Sequence, residues 1–165
     1  MKILIAAVLL LLVMPAMAVQ TAGQFIADYA MQDPNVGQIR VVMDGAHIGA
    51  TITPGTYSQN MQTAVAKVMV GYYGVLLLMP EYSGYLRVGV AVSGKIVGIW
   101  EIEANDIRSA HETGGSVQVA KVIDEHAYGE GKSIRYYVSD GYGDVTRSVS
   151  DGPYGRLSAS EGNWL

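Results

Sequence analysis

The sequence predicts an α+β fold of two layers, an antiparallel sheet of two hairpins covered on one face by one long helix in a β-β-α-β-β core. Three observations predict it: apolar residues at helical spacing from Thr56 to Met79, an alternating pattern around Asp44-Gly45 before them, and a second alternating pair around Ser93-Gly94 after them.

A leader precedes that core. Lys2 supplies a positive start, Ile3 to Met14 an apolar middle, and Ala16-Met17-Ala18 a small-x-small site, the pattern of a secretory signal peptide cleaved after Ala18. An uncleaved anchor is the rival reading, and Pro15 within the apolar run argues against it. The expected organisation is a signal peptide over 1–18, one α+β domain over 19–128, and a C-terminal hairpin or tail of low order over 129–165. The expected location is secreted, periplasmic or at the cell surface. The chain contains no cysteine, so disulfide staples, thiolate zinc sites and cysteine nucleophiles are excluded. Loss of Lys2 with the leader takes the formal net charge from −4 to −5, and the basic residues are scattered, which argues against nucleic acid as a partner.

Thr21 to Met31 opens the domain as a short helix: Thr21 with Gln24 forms a capping pattern, Phe25, Ile26, Tyr29 and Ala30 share one side, and Asp33-Pro34-Asn35 ends it. Gly37 to Thr53 reads as a hairpin turning at Asp44-Gly45, with Met43 facing Ala46, Val41 facing Ile48 and Ile39 facing Ala50. Arg40, Val42, His47 and Thr51 then point the other way.

The long helix begins after Pro54-Gly55, where Thr56 and Gln59 repeat the capping pattern. Met61, Ala64, Val65, Val68, Met69, Tyr72, Leu76 and Met79 recur at steps of three and four, and Pro80 stops the helix. Its uncharged part, Val68 to Met79, is shorter than the ~20 residues a membrane span needs, so a core helix is expected and no span remains after the leader. Gly71 and Gly74 leave room for another element to approach closely.

The second hairpin pairs Tyr85 to Val92 with Lys95 to Glu103. A three-residue loop, Val92-Ser93-Gly94, sets Leu86, Val88 and Val90 on the face of Ile96, Trp100 and Ile102, with Arg87, Glu101 and Glu103 on the other. A two-residue loop would put Leu86 opposite Glu101 and mix the faces. Asn105-Asp106-Ile107 starts a short helical turn, Glu112 to Gly115 breaks it, and Ser116 to Tyr128 fits a helix better than a strand. From Gly129 the chain is rich in glycine, serine, tyrosine and charge, the composition of an adaptable contact surface.

Among groups that carry chemistry, His47, His111 and His126 show no metal-ligand spacing; His126 with Asp124 and Glu125 is the best local cluster. Asp140, Asp144 and Asp151 supply oxygen ligands that suit calcium, although the spacing is not that of an EF-hand and ordinary Asp-Gly turns explain it. No nucleophile elbow is present, and Gly129 to Ser133 lacks the full spacing of a phosphate loop. Glu101 and Glu103 on one strand face beside Arg87 read more readily as a charged surface than as an acid–base pair.

The expectation is an exported domain without catalytic activity and without a cofactor, a binding or envelope-associated module. Its expected contact residues are Arg87, Glu101 and Glu103 on the outer sheet face with Tyr136, Tyr137 and Tyr142 beyond, and its partner an envelope or extracellular protein or a glycan. A small exported hydrolase is the alternative, requiring a pocket that collects His47 or His126 with a carboxylate or serine. A self-assembling surface protein, joined through Tyr128, Tyr136, Tyr137 and Tyr142, is a third reading.

Overall fold

A computed structural model describes residues 22–44, 47–55, 61–93 and 95–128. The chain runs through α1 (residues 22–30), β1 (Val36–Asp44), β2 (His47–Pro54), α2 (Met61–Leu78), β3 (Tyr85–Val92), β4 (Lys95–Glu103) and α3 (Ala104–Tyr128). The two hairpins and the helix between them stand where the hydrophobic patterns put them, and the α+β class holds. The leader, the Thr56–Gln59 capping pattern and everything beyond Tyr128, including the tyrosine and aspartate candidates there, lie outside the described residues.

The sheet corrects one expectation. Its order is β1-β2-β3-β4 with both hairpins antiparallel, but the central pair β2/β3 is parallel, His47 beside Tyr85 through Ile52 beside Val90. The sheet is therefore mixed. The helix between the hairpins is the reason: 18 residues of α2 span ~27 Å at ~1.5 Å per residue, enough to return the chain along the whole of β2. β3 then starts beside the start of β2, as a crossover connection requires.

The first hairpin keeps its predicted faces and the second keeps them except at Ile96, but neither keeps its predicted partners. In the first, Asp44 pairs with His47, so Met43 lies opposite Ile48, Val41 opposite Ala50 and Ile39 opposite Ile52. Side chains alternate with a period of two, so moving the turn one residue along shifts each partner by two and leaves every residue on its own face. In the second, Val92 pairs with Lys95 across a two-residue connection, and Ser93 takes a positive φ of 51°. That turn alone would mix the faces, but the register shifts between Val90 and Ala91, and the extra residue in β4 restores Leu86 opposite Ile102 and Val88 opposite Trp100. Ile96, expected beside Trp100 on the core face, instead pairs with Ala91, on the near side of that bulge.

The core lies between the sheet and the helices. Ile48, Ala50, Ile52, Leu86, Val88, Val90, Trp100 and Ile102 from the strands join Met61, Ala64, Val65, Val68, Met69, Tyr72, Val75 and Leu76 from α2. α1 contributes Ile26 and Ala30, and α3 contributes Ile107, Val119, Ile123 and Ala127, so the helices expected to flank α2 share its core. Tyr72 is buried without being wasted as a polar group: its hydroxyl donates to the Gly84 carbonyl at 3.2 Å, and its ring meets Tyr82 edge to face. By length and composition α2 could cross a membrane, yet half of it is buried inside this fold.

The close approach foreseen at Gly71 and Gly74 is made by α1. A Cβ at Gly71 would stand 2.8 Å from the Ile26 Cα and 3.1 Å from the Phe25 carbonyl oxygen, whereas one at Gly74 would meet the Phe25 ring at 3.0 Å. Backbone cannot yield as a half-exposed ring can. Gly71→Ala is expected to lower the melting temperature, because overpacking costs of about 1–3 kcal/mol outweigh the roughly 1 kcal/mol of helix propensity gained. Gly74→Ala is expected to leave it level or raise it. Paired thermal melts by circular dichroism check this, and equal behaviour of the two variants would remove the account of the crossing.

Candidate functional site

Among the described residues, two places gather several polar side chains from different segments. On the sheet face away from α2, the pairing of β3 with β4 sets Arg87 directly opposite Glu101 and Tyr85 opposite Glu103. The Arg87 Nε–H donates to the Glu101 carboxylate, and the guanidinium lies 5.4 Å from the centre of the Tyr85 ring. His47, the neighbour of Tyr85 on β2, stacks on the Tyr85 ring, the two centroids 5.0 Å apart and the planes within 8° of parallel. The structure thus collects the predicted Arg87 and Glu101 and adds His47 and Tyr85. Arg87 and Glu101 are only 6% and 7% exposed, so their charges face each other rather than solvent, while Glu103 is half-buried.

Burial pushes the Glu101 carboxyl above its ordinary value of 4.5; Arg87 pulls it back down by charge and hydrogen bond, and Glu103 adds a smaller upward push. Removal from water outweighs the partner. A carboxylate held this way is a buried ion pair, suited to specifying the register of the strands it joins.

The second place is made by α3. Gly114 and Gly115 leave helical geometry, Gly115 at φ 61° and ψ −154°, a region only glycine enters readily. What reads in the sequence as a chain break is a bend between two helical arms. Inside the bend lies an open cleft of about 490 Å³, lined by Asp106, Ser109, Ala110 and Thr113 from the first arm and Gln118, Val122 and His126 from the second. Helical spacing puts 106, 109, 110 and 113 on one face, and 118, 122 and 126 on one face of the other arm.

Comparison of the chain with protein-family models, with curated proteins and with solved structures gave no match. The chemistry of the cleft is the guide.

His126 is buried, and its Nδ1–H donates to the Val122 carbonyl at 2.8 Å while its Nε2 lies 3.5 Å from the Asp106 Oδ2. The sequence groups His126 with Asp124 and Glu125, but the fold turns it toward Asp106 on the other arm. Thr113 donates its hydroxyl hydrogen back to the Ser109 carbonyl at 2.8 Å and the Ala110 carbonyl at 3.1 Å. His111 stands elsewhere, its Nδ1 2.6 Å from the Tyr73 hydroxyl. The three histidines therefore occupy three separate environments, and among the described residues no group of three or more histidine, aspartate or glutamate side chains is placed to hold a metal.

Asp106, Ser109 and His126 are the residue types of a nucleophilic triad, but the wiring differs from one. A triad needs one ring nitrogen on the acid and the other on the nucleophile. Here the second nitrogen faces the helix's own backbone at Val122. Sequence reasoning missed Asp106, Ser109, Thr113 and Gln118. The visible signal was Gly114-Gly115 between two helical patterns, which marks a bend but not its angle.

Proposed function

We propose that the chain is an exported, noncatalytic binding module associated with the cell envelope, with the α3 cleft as its ligand site and the tyrosine-rich segment beyond Gly129 as a further contact surface. The observation that carries this reading is the ring of His126, tied through Nδ1 to Val122 and facing Asp106 through Nε2 beside a cleft open to solvent. The other strong polar groups agree with it. Arg87 and Glu101 are turned onto each other, and His111 onto Tyr73. A site of this kind offers hydrogen bonds to a ligand and has no activated base aimed at one.

A small exported hydrolase is the second reading, favoured by the meeting of Asp106, Ser109 and His126 in one cleft. The two separate in a pair of measurements on the intact protein. On the binding reading, a panel of ester and peptide substrates shows no turnover above buffer. Immobilised protein retains a partner from an envelope extract, and substitution of Tyr136, Tyr137 and Tyr142 by serine weakens that retention at least tenfold. Turnover that disappears in Ser109→Ala would replace the binding reading with the hydrolase.

A further inference from the structure

Resting on the cleft as a ligand site, we propose that it takes the primary ammonium group of a small organic cation. The lining is biased toward acceptors. Among the described lining residues Asp106 is the one acid, its side chain is half exposed, and none is a lysine or arginine. The Thr113 hydroxyl has its hydrogen committed inside the helix, so its Oγ presents lone pairs to the cleft. Ser109 stands between these two on the same helical face, and Gln118, whose amide carries an acceptor oxygen, lines the opposite arm. An ammonium has three donors and no acceptor, the complement of a carboxylate, two hydroxyl oxygens and an amide oxygen. An anion would face the Asp106 carboxylate, and His126, the one base among the described lining residues, is already turned onto Asp106 and the Val122 carbonyl. Ala110 and Val122 form an apolar floor on which a short methylene chain can lie, and 490 Å³ suits a ligand of that size.

The bend that makes the site is tightly packed at Gly114. A Cβ at Gly114 would lie 2.8 Å from the Gln118 Cβ, so the first residue of the bend is packed directly against the cleft's far wall. The acceptors on the two arms are thus set at a distance before any ligand arrives, which lowers the ordering cost of binding.

Titration calorimetry on the intact protein with 1,4-diaminobutane, glucose and succinate tests this. The expected result is saturable binding of 1,4-diaminobutane alone, weakened at least tenfold in Asp106→Asn and abolished in Ser109→Trp, which fills the cleft from an exposed position. Both variants alter solvent-facing side chains, and melting curves near that of the unsubstituted protein confirm that they fold. Equal binding by Asp106→Asn overturns the inference. Glucose or succinate binding that Ser109→Trp abolishes would overturn the ammonium while keeping the cleft as a ligand site. Binding of none of the three would overturn the ammonium, and the capture experiment would then decide on the binding module by itself.

Discussion

Glu101→Ala is expected to destabilise the fold by about 3–5 kcal/mol, because it removes the carboxylate paired with the buried Arg87 guanidinium. The two side chains are 7% and 8% exposed and directly opposite each other on β3 and β4. Replacing both with apolar residues of similar volume, Arg87→Met with Glu101→Leu, is expected to leave stability level or to raise it by ~1–4 kcal/mol, since the desolvation of two charges disappears with the pair. Urea unfolding of the single and double variants measures both. A single variant as stable as the double would show that the pair is solvated in solution.

The same residue sets a pH dependence. The folded-state pKa of Glu101 lies above its ordinary 4.5, so protonation favours the fold. Its stabilising contribution is complete below that ordinary value and is lost as pH rises through the folded value. The cost of Glu101→Gln should therefore grow as pH is lowered from 7 toward 4.5. A cost that shrinks over that window would mean that attraction to Arg87, rather than burial, governs the carboxyl.

Val68→Asp is expected to abolish cooperative unfolding. Val68 is fully buried at the middle of α2, in the core cluster that joins strands and helices. Burying an unpaired carboxylate costs several kcal/mol, against a total stability of about 5–15 kcal/mol for a natural domain. Leu77→Gln, nine positions along the same helix on a side chain 58% exposed, is expected to melt like the unsubstituted protein. A sharp melt for Val68→Asp would discard α2 as the centre of the core.

Much of this architecture is legible before any coordinates. The stripe from Met61 to Leu76 was readable because a helix returns to the same side every three or four residues, and those are the residues the core buries. Gly71 showed where a neighbour could come close, though not that it would be α1. Hairpin faces were readable because alternation survives a shift of two. The partners were not, since a turn can move by one residue, or a bulge can absorb a two-residue connection, without disturbing a face.

Local pattern is enough to say that this chain makes two hairpins, a core helix between them and apolar faces turned inward, because each depends on residues within a few positions of one another. The parallel centre of the sheet, the burial of Arg87 against Glu101 and the meeting of Asp106 with His126 depend on where whole elements land. Each of these is a contact between separate elements, or between two arms set by a bend, and a spacing of charges along the chain carries no record of that distance.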